Sequence, residues 1–223
     1  MNTTALRDSD WAAIDHVLLD LDGTLLDLDF DNHFWQSLVP QHWGAARGLD
    51  AVAARALLQP RFAACEGTLP WYSTEHWSRE LGLDIAALKR ADAERIRWLP
   101  GAQRFLAAAR ARGKRLVLLT NAHPQALALK HERTGVLDHF DASFSAHQFG
   151  APKEDARFWR ALAQVEHYDP ARSLFVDDSA SVLAAARAAG IRFIRAIRRP
   201  DSVREARVHG EFTAVDALVE LLD

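Results

Sequence analysis

Two rhythms of apolar and polar residues divide the chain. From Trp98 onward, short apolar runs take turns with longer stretches of helical spacing. "PGAQRFLAAARARG" opens on Pro100 and closes at Gly113, the pattern of a helix ended by a left-handed glycine. "KRLVLLTNA" is short and apolar enough for a strand buried on both faces. "HPQALALKHERTG" predicts a helix ended at Gly135, and "FDASFSA" a strand. "KEDARFWRALAQV" predicts a helix, "RSLFVDD" a strand, "SASVLAAARAAG" a helix ended at Gly190, and "IRFIRAI" a strand. A first strand runs from His16 to Asp20. Strands alternating with helices imply a parallel sheet with right-handed crossovers. The expected fold class is α/β, a Rossmann-like parallel sheet with helices on both faces.

Residues 29–98 break that rhythm. They contain no convincing strand, and "FDNHFWQSLV", "AVAARALLQPRFAAC" and "YSTEHWSRELG" have helical spacing. The expected organisation is an α/β core of residues 1–28 and 99–223, with a helical unit, 29–98, inserted after the first strand and packed over the sheet's end. No internal repeat is visible.

Composition narrows the setting. A chain of 223 residues with a net charge of −3 can bury a sizeable core. It carries no basic excess that would mark a nucleic-acid or membrane binder. The late arginines (Arg192, Arg195, Arg198, Arg199, Arg204, Arg207) read as a solvated face. Cys65 is the only cysteine, which suits a reducing, cytoplasmic setting; it reads as a small buried apolar residue. "MNTTALRDSDWAAID" lacks the basic-then-apolar pattern of a signal peptide. No apolar run approaches the roughly 20 residues that cross a bilayer. Nothing in the pattern points to a protein partner.

One stretch changes the picture. "VLLDLDGTLLDLDF" starts as a buried strand and runs into Asp20, Asp22, Asp27 and Asp29. Two carboxylates one residue apart at a strand mouth repel each other unless a cation sits between them. In open α/β sheets, ligands bind beyond the carboxyl ends of the strands. The predicted strand ends deliver Asp20 and Asp22, then Thr120 and Asn121, then Asp177 and Asp178. Lys153, just before a helix, could reach the same mouth. A carboxylate-rich oxygen site suits a hard divalent ion, and Mg²⁺ prefers a few carboxylates plus phosphate oxygens. Aspartate can attack phosphorus through an aspartyl-phosphate. Phosphoryl transfer asks chiefly for positioning and for positive charge around the equatorial oxygens. Lys153, the Thr120 hydroxyl and the metal would supply that charge and those donors.

These residues, in this order, resemble the haloacid dehalogenase superfamily of phosphohydrolases. Asp20-Leu21-Asp22-Gly23-Thr24 resembles its first motif, Thr120 in "LLTNA" the second, Lys153 the third, and Asp177-Asp178 in "FVDDS" the fourth. The resemblance implies Asp20 as nucleophile and metal ligand. It implies Asp22 as general acid and base, with its backbone carbonyl also on the metal. Thr120, Asn121 and Lys153 would bind phosphate, and Asp177 and Asp178 would hold Mg²⁺ directly or through water. Asp22 speaks against a true dehalogenase, which has no leaving oxygen to protonate. One departure is visible: the family's third motif usually runs Lys-Pro, whereas here Pro152 precedes Lys153 and Glu154 follows.

The helical insertion matches the position of the family's mobile cap, which sets specificity. It carries Trp35, Trp43, Trp71, Tyr72 and Trp77, with Asn32, His33, His42, Glu75 and His76 as polar neighbours. Of these, Asn32, His33, Trp35, Trp71, Tyr72 and Trp77 are the candidate substrate contacts. An aromatic can stack on a base, at roughly 1–3 kcal/mol in nucleic-acid complexes; Trp at helical spacing also serves as core. "LLDLDFDNHFWQSLVPQHWG", "WYSTEHWSRELGLDI", "LLTNAHP" and "FGAPKEDARFW" together resemble the bacterial GMP/IMP nucleotidases of the superfamily. That likeness implies a purine mononucleotide as the phosphate ester. The alternatives are a phosphatase for a sugar phosphate or phosphoglycolate, a phosphomutase, and a non-catalytic phosphate-binding protein. His123, in "TNAHP", reads as a helix-start residue.

Overall fold

In the computed structural model, residues 4–222 are described. Among them six strands form one sheet: β1 (His16–Leu19), β2 (Arg115–Thr120), β3 (Ala142–Ser145), β4 (Ser173–Asp177), β5 (Phe193–Ile197) and β6 (Ala214–Val215). Their order is β3-β2-β1-β4-β5-β6, and every pairing is parallel. The apolar runs alternate their side chains between the two sheet faces, as a period of two requires. Val17, Leu19, Leu116, Leu118, Leu174 and Val176 pack in one core cluster. Leu18, Val117, Leu119 and Phe175 pack in the other.

Helices cover both faces. Trp11 of α1 (Asp8–Ala13) joins the first cluster. Before β2 comes a long helical stretch: α2 (Asp29–His33), α3 (Val39–Ala45), α4 (Ala51–Ala63), α5 (Leu69–Tyr72), α6 (Thr74–Leu81) and α7 (Ile85–Ala91). The remaining helices are α8 (Ala102–Ala111), α9 (Pro124–Thr134), α10 (Ala156–Val165) and α11 (Ala180–Ala188). Phe105 and Leu106 of α8 and Leu129 of α9 pack with Trp11 on the first face. Phe158, Trp159 and Leu162 of α10 and Val182 and Leu183 of α11 pack on the second. No helix among the described residues is long and apolar enough to cross a membrane.

The helices between β1 and β2 have a core of their own, built on Phe34, Val39, Trp43, Leu58, Trp77, Leu81 and Ile85. Between α2 and α3 the chain makes a π-helical turn, Phe34–Leu38, in which the Val39 N–H reaches back five residues to the Phe34 carbonyl. Pro40, next in line, has no N–H to offer the turn before it. Such turns favour functional sites, and this one carries Trp35 and Gln36. α6 ends at Gly82, with φ +67°. Several elements are not anticipated by the apolar pattern, among them the short helices α1 and α5, the two-residue β6, too short to show a period, and α7. The last of these is capped by the Asp84 carboxylate, which accepts from the Ala87 N–H at 2.9 Å.

Candidate active site

β1 and β4 are neighbours with Leu19 opposite Val176, so Asp20 and Asp177 emerge side by side at the carboxyl edge. This is the point where the chain, having laid β2 and β3 to one side of β1, returns on the other, and such crevices bind ligands. Beyond β1 the backbone must turn sharply at Gly23, with φ +85°. A Cβ there would sit 2.7 Å from Asp178 Oδ2 and 2.8 Å from Pro200 Cβ. Glycine is needed both for the turn and for the approach of Asp178.

Lys153 lies ahead of α10 and is buried at the centre of the group. Its Nζ donates to Asp20 Oδ1 at 2.5 Å, Asp177 Oδ2 at 2.7 Å and the Leu119 carbonyl at 3.1 Å. Trp159 helps fix it, with Nε1 donating to the Lys153 carbonyl at 2.8 Å. Thr24 donates to Asp20 Oδ2 at 3.2 Å. The Thr120 hydroxyl accepts from the Ala122 N–H at 3.0 Å, which shapes the loop after β2. Burial pushes the Asp20 carboxyl up to about 7, against the pull of Lys153 and with the push of Asp177 and Asp22. Burial likewise carries Asp177 up to about 6, against Lys153. It takes Asp178 up to about 7, with Asp20 adding repulsion and Arg207 opposing.

Oxygens of Asp20, Asp177 and Asp178 lie within 4.8 Å of one another. Three buried carboxylates face one buried ammonium, with the half-exposed Arg207 on Asp178 Oδ2 at 2.6 Å. An all-oxygen donor set with surplus negative charge fits a hard divalent cation. Those three residues could hold one. The Asp22 carboxylate is not in that set.

Asp22 is held instead by Lys130 of α9, whose Nζ donates to Asp22 Oδ1 at 2.6 Å and to Asp31 Oδ2 at 2.6 Å. Lys89 of α7 donates to Asp31 Oδ1 at 2.6 Å. Burial would raise Asp31, but Lys130 and then Lys89 outweigh it and hold the carboxyl well below its usual range. Burial raises Asp22, and Lys130 offsets this only in part. So the cations beside the two acids of the first motif are both lysines, Lys153 and Lys130. The second has no sequence signal, since it sits at an ordinary helical position.

A cavity of about 630 Å³ joins this charged pole to the helical stretch. Asn32, Trp35, Trp71, Tyr72 and Trp77 line it, as do Thr120, Asn121 and Lys153. His33 does not. It lies on another side of the helix, with Nδ1 3.0 Å from Asp92 Oδ2. Trp43 is a core residue beneath Arg47. Further lining comes from α4 and just past it: Arg55, Gln59, Phe62, Ala63 and Glu66. Phe62 packs edge-to-face on Trp35, Trp71 and Trp77, with centroids 5.7, 6.3 and 4.9 Å away. Arg204 and Arg207 are exposed, as a solvated face requires, and also line the cavity. The loop after β5 folds back over the mouth, where Arg204 donates to Gln36 Oε1 at 2.6 Å. Cys65 is half-buried rather than buried.

Two polar links tie the helical stretch to the sheet end. Tyr72 donates to Glu154 Oε1 at 2.7 Å, and Asn121 Nδ2 donates to Glu154 Oε2 at 2.9 Å. Asn121 Oδ1 accepts from the Lys153 N–H at 2.9 Å. Glu154, the departure from Lys-Pro, thus orders both the loop after β2 and Tyr72. Burial and then Glu154 push the Tyr72 phenol up. In the second link Thr74 Oγ1 lies 2.8 Å from His123 Nδ1 and donates to Gln125 Oε1 at 2.9 Å. His123 also caps α9.

Parallel sheet order, strand-end acids and central lysine are those of a hydrolase family, and its sequence model agrees. Residues 14–190 match the haloacid dehalogenase-like hydrolases, and the chain belongs to that family. Among its relatives, the GMP/IMP nucleotidase YrfG of Escherichia coli is 46% identical over 192 residues, 86% of each chain. The phosphoglycolate phosphatase of Chromobacterium violaceum is 27% identical, covering 93% of this chain and 94% of that one. The fold is similar to the crystal structure of a HAD phosphatase from Thermococcus onnurineus. That match has a TM-score of 0.77 at 21% identity and covers 93% and 96% of the two chains.

Proposed function

We propose that this hydrolase cleaves purine nucleoside 5′-monophosphates, GMP and IMP, to nucleoside and phosphate, and that residues 29–98 act as the cap over the substrate. The observation that carries the reading is a cavity with two unlike ends. One end is the carboxylate–lysine pole, and the other is an aromatic wall of Trp35, Phe62, Trp71 and Trp77. The size suits a small-molecule ligand, and the likeness to a GMP/IMP nucleotidase supports the base.

In this reading an Asp20 oxygen attacks phosphorus and the ester P–O bond breaks, leaving an aspartyl-phosphate. Asp22 gives its proton to the departing ribose oxygen. It then takes one from the water that hydrolyses the intermediate. Lys153 and Thr120 grip the phosphoryl oxygens. The Asn121 side chain is spent on Glu154 and on the Lys153 N–H, so it orders the phosphate loop. Asp20, Asp177 and Asp178, with the Asp22 carbonyl, would hold Mg²⁺, which supplies charge neutralisation for the transferred group.

Along the aromatic wall, Arg55 and Gln59 present donors suited to O6 and N7 of a purine, and Glu66 an acceptor suited to N1–H. Adenine reverses the O6/N1 pattern, so AMP should be turned over about 10²-fold or more less efficiently than GMP. The test compares kcat/KM for GMP and IMP with AMP, CMP, ribose 5-phosphate and phosphoglycolate. If ribose 5-phosphate or phosphoglycolate matches GMP, no base is being read and the enzyme is a general phosphatase. The aromatic wall weighs against phosphoglycolate, which has nothing to place on it.

A further inference from the structure

Two lysines are buried in the cavity wall, and neither belongs to the phosphate-gripping pole. Lys130 is 2% exposed and Lys89 4%. A buried ammonium needs counter-charges, and here they are shared. Lys130 sits between Asp22 and Asp31, and Asp31 between Lys130 and Lys89, each contact at 2.6 Å. The four charges sum to zero along a line that joins the loop after β1, α9, α2 and α7. Lys89 also lies over the Phe30 and Phe34 rings, at 4.8 and 4.5 Å from their centroids. Among the described residues, Lys130 is the donor to the Asp22 carboxylate, through Oδ1. Among the same residues no hydrogen bond reaches the other oxygen, Oδ2.

We propose that Lys130 is a positioning residue for proton transfer: by holding Asp22 Oδ1 it fixes the carboxyl so that Oδ2 meets the leaving-group oxygen. Asp31 and Lys89 hold Lys130 in turn, so two helices of the insertion bear on the acid–base carboxyl. A carboxyl free to rotate about its Cβ–Cγ bond and χ1 would spend part of its time away from the reacting oxygen, and misplacement of that kind is costly. The proposal rests on the reading of Asp22 as the acid–base group.

The experiment uses leaving groups of different basicity. An alkyl phosphate (GMP, or ribose 5-phosphate if no base is read) needs its departing oxygen protonated; p-nitrophenyl phosphate releases a stable phenolate and needs little help. kcat/KM reports the steps up to departure of the leaving group, so the second half-reaction does not enter. Lys130→Met should lower kcat/KM for the alkyl ester by about 10- to 100-fold, part of the ~10²–10⁴ worth of general acid catalysis. For p-nitrophenyl phosphate the loss should be severalfold smaller, and Lys130→Arg should recover most of the alkyl activity. Because Lys130→Met leaves an unbalanced buried carboxylate, the double variant Lys130→Met/Asp31→Asn keeps the charges even and should show the same selectivity. Equal losses on both substrates in the folded variants would mean a merely structural lysine and overturn the proposal. Asp22→Asn, run alongside, separates the two readings. If it shows the selective loss and the Lys130 variants do not, only the role of Lys130 falls. If it shows none, the acid–base reading of Asp22 falls and takes Lys130 with it.

Discussion

The Asp20 carboxylate divides its oxygens between Lys153 and the Thr24 hydroxyl, an arrangement that aims it as well as charging it. Asp20→Asn preserves the shape but replaces the carboxylate proposed as nucleophile with an amide. Turnover should be abolished, and phosphate trapped during turnover of the parent should be found on Asp20; trapping on another residue would overturn its role. Around the same atom, three buried carboxylate oxygens within 4.8 Å should be stabilised by a divalent ion that binds only the folded state. Mg²⁺ at 100 times its dissociation constant should add about 2.7 kcal/mol, seen as a higher melting temperature that EDTA reverses, together with activity. Full turnover of a good substrate in metal-free buffer would remove the metal from the mechanism. At this scale the acids were legible in the chain, because a strand end followed by Asp-x-Asp-Gly-Thr has few structural uses. Lys130 was not, because nothing local distinguishes it from any lysine on a helix.

Between elements, Glu154 does what a proline in its place could not: its two oxygens serve Tyr72 on α5 and Asn121 after β2. Glu154→Ala leaves the Asn121 amide and the Tyr72 hydroxyl without their acceptor, at about 1–3 kcal/mol for each group that stays buried. Tyr72→Phe removes one donor and should cost less, about 0.5–1.5 kcal/mol. The measurement is the urea midpoint at unchanged slope. Additive losses in the double variant would show that the two residues do not act as a pair. The helices next to these groups, α6 and α10, were readable from their helical spacing. Their partners were not, since Tyr72 and Glu154 lie 82 residues apart in sequence.

At the scale of the whole molecule, stability depends on pH through groups the fold has buried. Burial, and then the charge of His123, push His147 down to about 4 from an ordinary 6.5; a hydrogen bond to the Asn121 backbone and then Glu75 oppose this. The unfolded chain therefore binds a proton on His147 at higher pH than the folded one does. The sign follows: this contribution is fully present above 6.5 and is lost as pH falls toward 4. With Mg²⁺ present, the parent should lose stability relative to His147→Gln over that window, and the difference between the two should be flat above it. A constant difference from pH 4 to 7 would show that His147 titrates alike in both states.

Strand and helix alternation, the parallel sheet, the helical character of the stretch between β1 and β2 and the position of the strand-end acids were determined by the sequence alone. Each rests on a local rule: a period of two or 3.6, a glycine stop, or residue types a few positions apart. Tertiary structure decided what those residues meet. It turned His33 outward to Asp92 and put Trp43 into the core. It brought the face of α4 with Phe62 and Arg55 to the cavity, and folded the loop of Arg204 and Arg207 back over its mouth. The physical reason is that helical spacing gives a helix two sides without saying which faces solvent, core or cavity. A buried charge finds its partner only when distant elements pack. For Lys130 that partner is Asp22, 108 residues away in the chain.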